Sequence, residues 1–137
     1  MSRRFHSWWL LPGIIFLDQL TKWQAGRLGW VGLNSGLALG WGGSFSGLLI
    51  VVLISAVILG VILAWRQSQL QSQLGVVLVL AGGISNLIDR LIWGGVRDFI
   101  PMIWWHNNLA DIAIVVGLGL FLVRIYQSGK ISQKNYV

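Results

Sequence analysis

The chain contains no cysteine and no glutamate, only two prolines and two histidines, and few charges of either sign. Without cysteine there is no disulfide, no thiolate metal ligand and no thiol nucleophile. His6 reads as an interfacial residue, and His106 alone cannot supply the three protein ligands of a catalytic zinc site. No metal and no other cofactor is therefore expected. No Ser-His-Asp pattern is plausibly placed, and a serine–lysine pair would have to be drawn from Ser35 or Ser85 with Lys22. Charged residues make up 10% of the 137 positions and apolar ones 55%, where soluble domains carry roughly 25% charge. That balance describes a membrane protein. The net charge of +6 does not form a nucleic-acid-binding patch. Its lysines and arginines are scattered, mainly at the ends of apolar runs, where membrane topology uses them.

The acids are the informative set. Asp18, Asp89, Asp98 and Asp111 are the only four, and all lie within or beside apolar segments. Ionisable groups are expensive at such places and by default mark function.

A bilayer core of about 30 Å needs about 20 mostly apolar helical residues. Four segments meet this: residues 8–25, containing Asp18; residues 45–65, uncharged; residues 70–91, ending in Asp89 and Arg90; and residues 108–126, opening near Asp111. The expected fold is an all-α membrane protein of four transmembrane helices forming one domain over residues 1–137. A glycine-rich loop, Gly26 to Ser46, joins the first two spans and is expected to lie at the outer interface, with short β-strands and with Trp30 and Trp41 at headgroup level. The first span lacks a small-residue cleavage site and is read as a retained helix. Residues 66–73 read as a short polar turn, and the polar tail from Gln127 as loose chain. Arg3, Arg4, Arg66, Arg124, Lys130 and Lys134 fall on one side, Lys22, Arg27, Arg90 and Arg97 on the other. The bias places both termini in the cytoplasm.

This topology carries Asp89, Asp98 and Asp111 to the outer side. A short connection between antiparallel helices lets Asp98 and Asp111 approach each other, while Asp18 sits roughly 15 Å along its helix. Two adjacent carboxylates do not both ionise readily, so the pair shares a proton. The ionised member can take a proton from water while the protonated one donates to a carbonyl oxygen. Amide hydrolysis then needs no metal and no covalent intermediate.

Five short blocks carry a resemblance: Asp18-Gln19-Leu20-Thr21-Lys22, Asn34-Ser35-Gly36-Leu37-Ala38, Gly82-Gly83-Ile84-Ser85-Asn86-Leu87-Ile88-Asp89-Arg90, Val96-Arg97-Asp98-Phe99-Ile100 and Asn108-Leu109-Ala110-Asp111. In this order they resemble the D-Q-x-T-K, N-x-G-x-A, N-L-I-D-R, V-x-D-F and N-x-A-D blocks of the lipoprotein signal peptidases (signal peptidase II). The resemblance implies an aspartic endopeptidase of the bacterial cytoplasmic membrane. It would cut signal peptides from prolipoproteins just before a cysteine that carries diacylglycerol, with membrane lipids around it, as a monomer, with its site toward the extracytoplasmic face. Asp98 and Asp111 would be catalytic. Asn86 and Asn108 would hydrogen-bond the dyad or the substrate backbone, Asn34 would sit in the covering loop, and Asp18 and Lys22 would support the site. Asp89 and Arg90 would organise the end of the third helix. The sequence departs from the pattern in a short Asp98–Asp111 connection, in Leu39 and Asn107 where aromatics are common, and in Ser85 where glycine is frequent.

Plainer readings stand beside these. Asp89 with Arg90 reads as a structural ion pair. Asp18 reads as a cap or a partner of Lys22, Asp98 as an interfacial cap, and Asp111 as a first-turn acid favoured by the helix dipole. Gly82 and Gly83 permit close helix packing, and the tryptophans anchor the interface. An inactive relative that binds lipidated proteins and a small proton-coupled transporter are the alternative functions.

Overall fold

The computed structural model describes residues 7–35, 54–58, 60, 62, 73–103 and 106–134. A short 3-10 turn, Ser7–Trp9, leads into α1 (Leu10–Arg27). Pro12 lies in the first turn of α1, where a missing N–H costs nothing. The helix stops at Gly29, whose φ of +72° is the left-handed conformation that glycine adopts freely. Gly29 N donates to Gly26 O at 3.2 Å and Trp30 N to Ala25 O at 3.0 Å, the paired closure of a Schellman cap. The chain then turns into β1 (Gly32–Asn34). The second long helix, α2 (Gln73–Trp93), ends the same way, with Gly94 at φ +73° and its N–H on Arg90 O. It turns into β2 (Val96–Asp98).

These two helix–glycine–strand units meet. β1 and β2 pair antiparallel, with Gly32 opposite Asp98 and Asn34 opposite Val96. Gly95 makes the close approach possible, since a Cβ there would lie 2.9 Å from Asn34 O. The strands expected within the loop after the first span therefore include one whose partner lies after α2, some 60 residues on. Nothing in the local pattern of either segment names the other. A small hairpin of β3 (Ile100–Pro101) and β4 (His106–Asn107) follows, and α3 (Leu109–Lys134) closes the chain.

Three of the expected spans are thus present as helices, at 10–27, 73–93 and 109–134. The last runs well past Gln127, so the loose tail expected there is helical through Lys134. The second expected span, 45–65, lies mostly outside the described residues, and positions 54–58, 60 and 62 within it are helical. Trp41, Leu39, the 66–72 linker, Arg3, Arg4 and His6 also lie outside them.

α2 and α3 pack antiparallel with their backbones in contact. Gly82 faces Ala110 O, and seven residues away along each helix Gly117 faces Gly75. In lipid, apolar burial gives helices little reason to associate, and close backbone packing with hydrogen bonding takes over that role. Among the described residues, polar groups are buried beside the apolar ones and many large apolar side chains are exposed. Asp18, Lys22, Ser85, Asn86, Asp89 and Asn108 are buried, whereas Phe16, Leu17, Leu91, Ile92, Val115 and Leu122 are exposed. On α1 the buried residues Asp18, Lys22 and Ala25 follow the helical period and form one inward stripe. Among the described residues, one helix, Leu74–Trp93, is long and apolar enough by composition alone to cross a membrane. α1 carries Asp18, Lys22 and Arg27, and its two inward charges are both buried against protein.

Gly117→Ala should lower the thermal midpoint in detergent, because the new Cβ would lie 2.7 Å from Gly75 O and 2.8 Å from Val79 Cγ2. Overpacking of this kind costs about 1–3 kcal/mol. Gly119→Ala, with nothing within 4 Å among the described residues, should leave the midpoint unchanged or raise it. Tryptophan fluorescence during thermal unfolding reads both.

Candidate active site

Nearly all the buried polar groups among the described residues form one connected network, at the end of the bundle where α1 and α2 stop and α3 begins. Its centre is Lys22. The ammonium lies 2.6 Å from Asp18 Oδ2 and 3.2 Å from Asp89 Oδ2, and it donates to Asn86 Oδ1 at 3.0 Å. A lysine has three N–H donors, and three oxygens receive them here. Lys22, Asp18 and Asp89 are all fully buried.

Asp18 has further partners. Ser85 Oγ donates to its Oδ2 at 2.7 Å, and Ala110 N donates to its Oδ1 at 2.9 Å. That amide belongs to the first turn of α3, where backbone N–H groups lack helical acceptors and the helix dipole favours an anion. A carboxylate on α1 therefore caps α3 from across the bundle. The natural N-cap of α3, Asn108, accepts the N–H of Asp111 on its Oδ1 at 2.9 Å.

Asp98 ends β2 and is buried. Both of its oxygens accept amide protons, Oδ1 from Asn108 Nδ2 at 2.6 Å and Oδ2 from Asn34 Nδ2 at 3.0 Å. Asn34 reaches it because β1 pairs with β2. Burial raises the Asp98 pKa above its ordinary value of 3.8, and the two asparagine donors, Lys22 and Arg90 offset this only in part. Asp111, in the first turn of α3, accepts from Asn86 Nδ2 at 2.7 Å. The orientation of both amides follows from their other ends. Asn86 Oδ1 is held by the ammonium and Asn108 Oδ1 by a backbone N–H, so each must turn its NH₂ toward a carboxylate.

Asp98 and Asp111 open onto one cavity of about 460 Å³, with Asn34, Asn86, Arg90 and Asn107 beside them. The remaining wall is apolar, including Ile54, Val57, Ile58, Val79, Ile114 and Val115. Asp18 and Lys22 do not line it; they stand behind Asn86. Among the described residues no group of three His, Cys, Asp or Glu side chains converges on a common point. His106 is exposed, in β4.

The partner of Asp89 differs from the expectation. Its ion pairs run to Lys22 and to Arg97, whose Nη2 lies 2.7 Å from Asp89 Oδ1. Arg90, the neighbour expected to pair with it, donates to Asn86 O at 3.4 Å and lines the cavity with the two aspartates. Consecutive helical residues point in different directions, so adjacency in sequence did not bring the two side chains together. Arg97, Gln19 and Ser85 gained roles that the sequence did not assign. Gln19 Nε2 donates to Ser85 Oγ and to Asp89 Oδ1, and its Oε1 accepts from Arg97 Nη2 at 2.7 Å. Ser85, which stands where a glycine is frequent, supplies a hydroxyl to Asp18. The available signal was the presence of polar side chains at membrane depth, each needing a partner.

A family model described as Signal peptidase (SPase) II matches residues 10–127. A lipoprotein signal peptidase of Coxiella burnetii (strain Dugway 5J108-111) is 32% identical over 148 residues, covering 89% of this chain and 91% of its own. One of Syntrophomonas wolfei subsp. wolfei is 33% identical over 135 residues, covering 96% and 90%. A bacterial membrane enzyme solved by the in meso method at 2.3 Å resolution superposes with a TM-score of 0.77 over 93% of this chain and 91% of that one. At 18% identity that likeness establishes a shared fold. The match to the family model over most of the chain, and the relatives above 30% identity over nearly its whole length, make this chain a member of the signal peptidase II family.

Proposed function

We propose that the protein removes signal peptides from diacylglyceryl-modified prolipoproteins as an aspartic endopeptidase, with Asp98 and Asp111 as the catalytic pair. The observation that carries the catalytic type is the pair itself. Two carboxylates face one cavity and are joined through a single residue, Asn108, which donates to one side chain and accepts the backbone N–H of the other.

The chemistry follows from that arrangement. One member of the pair, ionised, takes a proton from a water molecule as it attacks the scissile carbonyl. The other, protonated, donates to the carbonyl oxygen. In the collapse of the tetrahedral species the proton passes to the leaving amine. The titration belongs to the pair rather than to either residue. Asn34, Asn86 and Asn108 hold the carboxylates in place, and Arg90 adds a cation at the cavity wall. A polar floor under an apolar wall suits a peptide bond flanked by an apolar signal segment and an acylated cysteine.

We read the chain as one domain of four spans in the cytoplasmic membrane of a bacterium, with both termini cytoplasmic and the site toward the extracytoplasmic face. The membrane location is supported by the family and by the buried polar and exposed large apolar side chains of the described residues. A transporter is disfavoured by the distribution of polar groups. From Leu74 to Ile84 on α2 and from Ile112 to Val123 on α3 there is no polar side chain, so those helices offer a proton or solute no relay toward the other face.

Purified wild type should shift a diacylglyceryl-modified prolipoprotein on a gel, and Asp98→Asn and Asp111→Asn should each lose about 10²–10⁴-fold in rate with an unchanged thermal midpoint. Substantial cleavage by either variant would remove it from the pair. The rate should also be bell-shaped in pH. At low pH both carboxyls are protonated and no base remains; at high pH both are ionised and no acid remains. Because burial raises the Asp98 pKa, the pair should keep its proton above 3.8, so the alkaline limb should lie above the ordinary aspartate value. An alkaline limb at or below that value would contradict this.

A further inference from the structure

Strand β2 has two faces. Val96 and Asp98 line the cavity, and by the alternation of a strand Arg97 points the other way. There it is held in a way unlike any other residue of the strand. Its backbone N donates to Asp89 Oδ2 at 3.0 Å, its Nε approaches the same oxygen at 3.4 Å, and its Nη2 donates to both Asp89 Oδ1 and Gln19 Oε1 at 2.7 Å. Its guanidinium also stacks over Trp93, 5.3 Å from the ring centroid. One side chain thus ties β2 to the end of α2 and to α1. The anchor to which it is tied, Asp89, is itself fixed by the Lys22 ammonium at 3.2 Å.

We propose that Arg97 is a positioning residue for the hydrolytic reaction: by clamping the back of β2 onto Asp89 and Gln19, it sets where the carboxylate of Asp98 stands in the cavity. The inference rests on the assignment of Asp98 to the catalytic pair.

The physical case is one of leverage. β2 is short, and from one edge it is paired only with β1, itself equally short. The Gly94–Gly95 turn that leads into it carries no side chain that could pack. Hydrogen bonds from Asn34 and Asn108 orient the carboxylate of Asp98, but Asn34 lies on β1 and follows the strand if it shifts, and Asn108, fixed at the start of α3, holds the tip of the side chain rather than the strand. Arg97 binds to helix residues instead. The planar guanidinium spans the carboxylate of Asp89 and the amide of Gln19 together, which a lysine ammonium, a point charge on a flexible stem, does not reproduce. A displacement of about 1 Å in a catalytic group can cost about 10²-fold in rate.

The test compares wild type, Arg97→Gln, Arg97→Lys and Asp98→Asn on a diacylglyceryl-modified prolipoprotein, with kcat, KM and thermal midpoint measured in the same detergent. Cleavage by wild type and its loss in Asp98→Asn first establish the pair; if Asp98→Asn cleaves, that assignment fails, whatever Arg97 does. Given the pair, Arg97→Gln should lower kcat by about 10²-fold with KM unchanged, at a temperature where the variant is folded, and Arg97→Lys should recover only part of the loss. Wild-type kcat in folded Arg97→Gln would overturn the proposal. So would a rise in KM at constant kcat, which would make Arg97 a substrate contact, and so would full recovery by lysine, which would reduce its role to charge. Should Arg97→Gln not fold, Arg97→Lys alone decides: a lowered kcat at unchanged KM supports the clamp, and wild-type kinetics overturn it.

Discussion

Everything at the polar end of this bundle hangs on one buried ammonium. Lys22 is fully excluded from solvent, where a cation is costly unless it is paired and hydrogen-bonded. It is retained because Asp18, Asp89 and Asn86 accept its three N–H hydrogen bonds. Each of those partners then acts on another element. Asp18 caps α3 through Ala110 N. Asn86, with its oxygen held, presents its NH₂ to Asp111. Asp89 receives Arg97 and thereby β2, whose last residue is Asp98. Both members of the proposed pair are therefore connected to the same cation by different routes, one through an amide and one through an ion pair and a strand. Breaking a buried ion pair by removing one partner typically costs about 3–5 kcal/mol, and here the loss would also release the orientation of groups that face the cavity.

The charges close in an instructive way. The chain's only four acids, Asp18, Asp89, Asp98 and Asp111, all belong to this assembly. The cations set among them are Lys22, Arg90 and Arg97. With every carboxylate ionised the cluster carries one excess negative charge, and at membrane depth an uncompensated charge is strongly disfavoured. A single proton on the Asp98–Asp111 pair removes it. Asp18 and Asp89 each touch a cation directly, so the cavity-facing pair is where that proton would be held. The same electrostatics that keep the helices together would favour the one-proton state that the proposed acid–base hydrolysis needs.

Much of this was visible in the residues themselves. Acids kept inside apolar runs pointed to Asp18, Asp89, Asp98 and Asp111, and apolar length located the helices at 10–27, 73–93 and 109–134 to within a few residues at most ends. The end of α3 was missed because polarity past Gln127 says nothing against helix: Gln, Lys and Ser continue one readily when the turns before them are formed. The pairing of Asp89 was misread for a geometric reason, as Arg90 is adjacent in sequence but turned away around the helix, while Arg97 returns to it only after the Gly94–Gly95 turn. The β1–β2 pairing was not legible at all, since each strand is too short to carry a periodic signal and its partner is distant in sequence. Ser85 looked like a departure from a glycine pattern, and only the position of Asp18 beside it shows that its hydroxyl is used.

The two asparagines fix the carboxylates that face the cavity. An amide side chain offers a donor end and an acceptor end, and a free asparagine can flip between them. Asn86 and Asn108 cannot, because an ammonium holds the oxygen of one and a helix N-terminal N–H holds the oxygen of the other. Each is left with a donor end that points at a carboxylate, fixed before any substrate arrives. Donors pre-aligned in a low-dielectric setting need no reorganisation when charge moves during the reaction. The costly step, fixing polar groups out of water, is carried by contacts behind the cavity wall, among Lys22, Asp18, Ser85 and the first turn of α3. The cavity itself is left with two carboxylates whose positions are set, as the proposed acid–base pair requires.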